Sequence, residues 1–414
     1  MTAESVLQAG ARHLVSTGIP GVVLGLHTPA GDVFGCAGTR IPSTSLPPTP
    51  ETAFDIASVT KVLATTTSLL RLVSAGSVSL DDRVERFVPP FSGGAKSDVT
   101  LRHLLTHRGG LQPWWPLYPD AASPSSDRPG GLAHPSADAL ELAAALPLAA
   151  APGTTRLYSD LGFMLLGRVI ESVTGERLAD AAAHLVFAPL GLTSTGYAHP
   201  VDAERGGTAA SSRGDEIERR MVRTGIPYPV PFQETDFGFW RDELLVGEVN
   251  DGNAFHAFGG VSGHAGLFST PRDLLAFATA LSDYRDHDEL WNPAVTEQFF
   301  AASADPEQAI GFRRSEWDLG EGPVTVLGHP GFTGVAVGFV PGASVAVVIA
   351  TNRLLAPGEP VPNADLWERA TRVWGDARSE AVAPRARRAE ADAHPAPPHP
   401  TPDQPADESP AAAG

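Results

Sequence analysis

The chain has 414 residues, 42% of them hydrophobic and 19% charged, with a formal net charge of −18 at pH 7. That is enough apolar material for two or three domains, or for one core with a large insertion. The charge repels nucleic acid phosphates and anionic membrane surfaces alike, so neither is expected as a partner. The single cysteine, Cys36, excludes an intrachain disulfide and any multi-cysteine metal or cluster site.

The first residues, MTAESVLQAGARHLVSTGIPG, show no basic start leading into an apolar run. No later segment reaches the roughly 18 uninterrupted apolar residues of a membrane span. A cytoplasmic chain without a signal peptide is therefore expected. An N-terminal helix over about residues 3–16 leads into two apolar runs, Gly21–His27 and Asp32–Ala37, joined by the turn Pro29–Gly31 as in a hairpin. Cys36, near a strand end, reads as a small buried apolar residue. After the Pro/Thr/Ser-rich loop Ile41–Thr52, a strong helix follows. In it Val59, Val62, Leu63, Thr66, Leu69, Leu70 and Val73 recur at helical spacing, and Gly76 ends it.

From there to about residue 300 the pattern is mainly helical, broken by two long loops, Gln112–Pro135 and Tyr197–Phe258. Loops of that length inside a compact domain are lids or binding walls. Strands return at Val324–Gly328, Val335–Val340 and Ser344–Ala350, and a last helix covers about Ala364–Arg378. Beyond about Glu380 the chain lacks Leu, Ile, Phe, Tyr and Trp and reads as a disordered tail. Strands at both ends with helices between predict an α/β (α+β) fold: an antiparallel sheet from residues 1–75 and 300–378, with a mainly helical insertion over 76–299. Residues 379–414 form the tail. A site between the two parts would lie where pockets prefer to form.

Three short motifs carry chemistry. The first is Ser58-Val59-Thr60-Lys61. Of the 30 basic side chains only Lys61 and Lys96 are lysines, yet one stands three residues after Ser58 on the same helical face. Chemistry supplies a reason, since an ammonium can exchange its proton in a buried site and a guanidinium effectively cannot. Ser58 begins the helix, where free N–H groups and the dipole favour developing negative charge. The bland alternative is a capping serine and a surface lysine. The second motif is Tyr158-Ser159-Asp160, opening the helix Leu161–Ser172. A phenol beside an ammonium can accept the serine proton; taken alone, a tyrosine packed at a helix start explains it as well. The third is Gly328-His329-Pro330-Gly331-Phe332-Thr333-Gly334 at a strand end. Here Gly331 would let a ligand approach the backbone and the Phe332 N–H could face an oxyanion; a glycine-rich turn with a surface histidine is the competing reading.

In this order the motifs resemble the serine β-lactamase and penicillin-binding-protein superfamily, in the branch that holds class C β-lactamases, DD-peptidases and related esterases. The resemblance spans about residues 5–375. It is supported by Thr100–Leu111 (TLRHLLTHRGGL), Pro189–Thr193 (PLGLT) and Gly259–Leu275 (GGVSGHAGLFSTPRDLL). It implies a sheet domain and a helical domain with the active site in the cleft between them. Ser58 would be acylated, Lys61 and Tyr158 would move its proton, and the N–H groups of Ser58 and Phe332 would form the oxyanion hole. Asp160, His329 and Gly331 would contact substrate. No cofactor or metal is implied.

Two departures matter. Asp160 stands where that branch usually has Asn, and an ionised carboxylate cannot donate to a substrate carbonyl. Next to Lys61 it would also favour the ammonium and shift proton abstraction to Tyr158. His329 stands where penicillin-recognising members have Lys, and a neutral imidazole holds a substrate carboxylate less firmly. Both argue against an efficient β-lactamase and for a serine hydrolase acting through an acyl-enzyme on a small ester, amide or peptide without that carboxylate requirement. The alternatives are a β-lactamase or D-Ala-D-Ala carboxypeptidase, and a non-catalytic binding protein that keeps the fold. His103 and His107, four apart, read as structural histidines rather than metal ligands. Asp251, Asn253 and His264 read equally as cleft wall or scaffold. Trp114 and Trp115 read as loop anchors or pocket lining. Oligomeric state leaves no sequence signal.

Overall fold

The computed structural model describes residues 1–42, 44–121, 137–197, 207–319 and 322–392. Six antiparallel strands form the main sheet, in the order β2-β1-β10-β9-β8-β7. They are β1 (Gly21–Thr28), β2 (Gly31–Gly38), β7 (Arg313–Asp318), β8 (Pro323–Pro330), β9 (Ala336–Val340) and β10 (Val345–Thr351). The N-terminal hairpin joins the C-terminal strands through β1 and β10, with Leu24 opposite Ile349. Two ribbons complete the strands: β3 (Phe54–Asp55) with β6 (Phe268–Ser269), and β4 (Ala210–Arg213) with β5 (Leu244–Val246).

Both sheet faces are covered. The helices Ala3–Ser16 and Asn363–Asp392 bury Leu7, Leu14, Leu366 and Trp374 against one face. The helix Pro271–Ser282, although it falls in the stretch read as the insertion, packs on the other face through Leu274, Leu281 and Ala278. That second core is continuous with the helical part of the molecule, where helix Asp160–Thr174 buries Phe163, Leu166 and Ile170. One apolar core therefore runs from the sheet into the insertion. Ser58 begins the helix that crosses between them.

Several expectations need correction. β7 reads RRSEWD, too polar to show as a strand; it is the sheet's edge, where charged side chains keep exposed backbone groups from pairing with another chain. The stretch Tyr197–Phe258, expected as one loop, holds β4, β5 and the helix Glu216–Thr224 among its described residues. The helix expected to end at Arg378 runs on to Asp392, because its Ala, Glu and Arg content sustains a helix without apolar residues. Of the expected tail, 393–414 lie outside the described residues, as do 122–136 of the first long loop. No described helix is long and apolar enough to cross a membrane.

Candidate active site

The helix that carries Ser58 starts irregularly. Residues Ala57–Val59 form a 3-10 turn, Lys61–Thr66 a π-helix, and only Thr67–Ser74 a regular α-helix. The Thr67 hydroxyl donates to the Val62 carbonyl at 2.8 Å, five residues back, where the wide turn opens. Ala57 has φ of 45°, a left-handed conformation costly for a residue with a Cβ. It is held there by Asp55, whose carboxylate accepts the N–H of Ala57 at 2.8 Å and of Asn250 at 2.6 Å. Burial lifts the Asp55 carboxyl to about 6 against those two bonds. In this turn the Val59 N–H goes to the Ile56 carbonyl and the Thr60 N–H to that of Ala57, so the Ser58 N–H stands outside the helical ladder.

Lys61 is fully buried and uses three acceptors for its three hydrogens. It donates to Ser58 Oγ at 3.1 Å and to the His264 carbonyl at 3.0 Å, and it pairs with Asp160 Oδ1 at 2.7 Å. Burial alone would lower its pKa; the charges of Asp160 and Tyr158 outweigh burial and raise it. Lys61 is therefore an ammonium that holds Ser58 Oγ rather than a free base. The His264 carbonyl is itself fixed. The imidazole bonds Asp251 Oδ1 at 3.0 Å and Ser262 Oγ at 2.8 Å. A Cβ on neighbouring Gly263 would lie 2.1 Å from the Phe163 carbonyl, so only glycine lets this segment press against helix Asp160–Thr174.

Tyr158 lies with its ring 5.2 Å from Lys61 Nζ, and the Arg313 guanidinium lies 5.2 Å over the same ring. His107, with ring centroid 4.5 Å away, backs the phenol and accepts the Ser159 N–H on Nδ1 at 3.1 Å. Burial, then the cations Lys61 and Arg313, hold His107 well below its usual range, so it is neutral. His103 instead closes the capping box on Thr100. These two histidines, four apart in sequence, have separate structural tasks.

His329 is buried, not a surface residue. Its Nδ1–H donates to the Pro330 carbonyl at 2.8 Å, and burial followed by Arg313 and Lys61 keeps it neutral. Gly331 has a packing reason besides the ligand approach that the sequence suggested. A Cβ there would sit 2.4 Å from the Ile56 carbonyl, so the glycine lets this turn dock against the backbone just before Ser58. Thr333 ties the same turn to the Asp55 carbonyl at 2.7 Å. The Gly331 carbonyl accepts from Gly334 N at 3.0 Å and Asn363 Nδ2 at 3.2 Å. A trans peptide points its N–H opposite its C=O, so these bonds aim the Phe332 N–H away from Asn363. Arg353 holds the next carbonyl, that of Phe332, at 2.6 Å.

A pocket of about 250 Å³ opens at Ser58, lined by Trp114, Tyr158, Asp160, Tyr228, Asp251 and Phe332 among others. Trp114 thus lines the pocket, whereas Asn253 is scaffold, joining the Leu117 N–H at 2.8 Å and the Trp115 carbonyl at 2.9 Å. Sequence reading missed Arg313 and Asn363. Arg313 lies on a strand without apolar alternation and Asn363 at a helix start remote in sequence, so neither had a local signal.

The comparisons with known proteins agree with this architecture. The Beta-lactamase family matches residues 7–372. The chain is 30% identical over 338 residues to a putative D-alanyl-D-alanine carboxypeptidase of Escherichia coli K12, covering 77% of this chain and 73% of that protein. It is 31% identical over 337 residues to an N-acetylmuramyl-L-alanine amidase of Bacillus subtilis, covering 77% and 72%. In three dimensions it resembles the octameric penicillin-binding protein homologue of Pyrococcus abyssi, with a TM-score of 0.63 at 22% identity over 87% of this chain and 75% of that one. The chain belongs to the Beta-lactamase family and is a serine hydrolase of ester or amide bonds.

Proposed function

We propose that this chain is an amidase that forms its acyl-enzyme on Ser58 and releases an amine bearing a carboxylate, a terminal amino acid or a short peptide. The observation that carries this reading is Arg313. It stands at the sheet edge opposite Gly328, over Tyr158, and no carboxylate among the described residues pairs with it. A neutral, buried His329 cannot hold a substrate carboxylate; Arg313 offers the missing cation from the neighbouring strand. The two curated relatives are named for amide bonds involving alanine, which fits a leaving group of this kind.

The proton path in this reading draws support from the Lys61 contacts. Tyr158, flanked by two cations, accepts the Ser58 proton as Oγ attacks the amide carbonyl. Lys61, fixed by Asp160 and the His264 carbonyl, keeps its charge beside the forming bond and holds Oγ in line. The N–H groups of Ser58 and Phe332 receive the oxyanion. Tyr158 returns the proton to the leaving nitrogen, and a water takes the amine's place to release the acyl group.

Two measurements test this. A fluorophosphonate probe should add once to the wild type and not to Ser58→Ala, read by intact mass. Arg313→Ala should then raise KM for an N-acyl-alanine with a free carboxylate about 10-fold or more while leaving the corresponding N-acyl-alanine methyl ester unaffected, the loss expected for one charge-assisted contact. Equal effects on both substrates would remove Arg313 from the leaving-group site.

A further inference from the structure

The oxyanion hole proposed above takes one N–H from each of two turns that lie far apart in the chain, those of Ser58 and Phe332. A single residue touches both turns. Asp55 accepts the Ala57 N–H on Oδ1 at 2.8 Å, and its backbone carbonyl accepts the Thr333 hydroxyl at 2.7 Å. Its second carboxylate oxygen, Oδ2, accepts the Asn250 N–H at 2.6 Å, and Asn250 lines the pocket at Ser58. Asp55 is buried and held in place on its other side. It pairs with Phe268 between β3 and β6, and the Ile56 N–H goes to the Leu267 carbonyl at 3.0 Å.

A cap on the first turn of the helix would explain the bond to Ala57, and Asn or Ser would serve it as well. Asp55 does more than cap. Both of its carboxylate oxygens receive a backbone N–H, whereas an amide or a protonated carboxyl has only one oxygen free to accept without a hydrogen of its own. The residue it holds is also the left-handed one. The Ala57–Ser58 peptide carries the Ser58 N–H and turns with the Ala57 dihedrals, so relaxing Ala57 toward the ordinary region would swing that N–H out of line.

We propose that Asp55, as a carboxylate, is the positioning residue of the oxyanion hole: it keeps Ala57 left-handed and so holds the Ser58 N–H in register with that of Phe332. The assignment rests on the reading above in which Ser58 is acylated, and not on the identity of the leaving group. It carries a pH dependence. With its carboxyl lifted by burial to about 6, Asp55 grips Ala57 at about pH 8 and is protonated in about nine molecules of ten at about pH 5. From the Asn250 side Asp251 raises that value and Arg241 lowers it, while Phe268 and Thr333 on the other sides bear no charge.

The test follows fluorophosphonate labelling of Ser58 in the full-length chain. At about pH 8, Asp55→Asn should label about 100-fold more slowly than wild type, the loss expected for one oxyanion donor. At about pH 5 the gap should narrow to about 10-fold, because most of the wild type has by then released Ala57 too. Any titration of Tyr158 or Lys61 is common to both proteins and cancels from the ratio. Glycine adopts the left-handed conformation without strain, so adding Ala57→Gly to Asp55→Asn should recover about 10-fold of the loss. Wild-type labelling in Asp55→Asn, or a gap that is the same at both pH values and is not rescued, would overturn the assignment. Should Asp55→Asn not fold, Ala57→Gly alone decides. Its rate relative to wild type should rise about 5-fold or more between about pH 8 and pH 5, and an unchanged ratio would overturn the assignment. A wild type that takes no label would overturn it together with the Ser58 reading. A wild type that labels but cleaves no amide would sink the amidase reading alone.

Discussion

Two segments meet at Ser58 and are built in opposite ways. The Ser58–Ser74 helix assembles its chemistry from residues three positions apart, and its lysine is fully buried with every hydrogen assigned. The segment 207–258 has no such motif, and its polar groups pair across long gaps. Asp215 meets Arg241, Asn250 meets Asp55, and Glu218 meets Gly252. On the proposed mechanism the first segment carries the bond chemistry. The second shapes what is admitted, and its pairs are replaceable in principle so long as charge and volume balance.

That contrast predicts different penalties for the same conservative exchange. Lys61→Arg keeps the charge but forces a larger, planar cation into a site with three fixed acceptors, and it cannot place one hydrogen on Ser58 Oγ without displacing Asp160. The fluorophosphonate labelling rate should fall at least about 1,000-fold. Arg241→Lys in the second segment should leave labelling within a few-fold of wild type and change substrate preference instead. Comparable losses in both would mean that the segment 207–258 is part of the catalytic machinery.

Tyr158→Phe removes the proposed proton acceptor but keeps the ring that His107 and Arg313 pack against. Hydrolysis should drop about 100-fold or more, the usual contribution of a positioned general base, with thermal stability unchanged. Retained hydrolysis would return the proton-accepting task to Lys61 despite its pairing with Asp160.

Legibility in the sequence follows the same division. The strands β1, β2, β8, β9 and β10 were readable because both their faces meet helices and their apolar runs are continuous. That Ser58 and Lys61 come together was readable because three residues apart is one helical face, and their 3.1 Å contact follows from that spacing. The buried state of His329, the docking role of Gly331 and the whole of β4 and β5 were not. Each depends on a partner more than 15 residues away: Ile56 for Gly331, Arg313 and Lys61 for His329, and β5 for β4. Asp160 was an intermediate case. Its identity predicted that it would favour the ammonium of Lys61, and the 2.7 Å contact is that prediction in atomic form.

The smallest expected effect probes whether the second segment's charges are structural. Burial alone would raise the Asp215 carboxyl, but hydrogen bonds from His256 and Arg241 outweigh it and hold it at about 2. A folded-state value below the unfolded one means that this carboxylate adds stability above its unfolded pKa of about 3.9 and loses it as pH falls toward 2. The shift is worth about 2 kcal/mol. Asp215→Asn should therefore unfold at lower denaturant concentration at pH 7, by that amount, and the gap to wild type should close between about pH 4 and pH 2 as the wild-type carboxylate takes its proton. Asp251, also held at about 2, titrates in both proteins and cancels from the difference. A gap that persists at pH 2 would show that Asp215 acts through shape and hydrogen-bond geometry. The segment 207–258 would then be held by fit rather than by ion pairs.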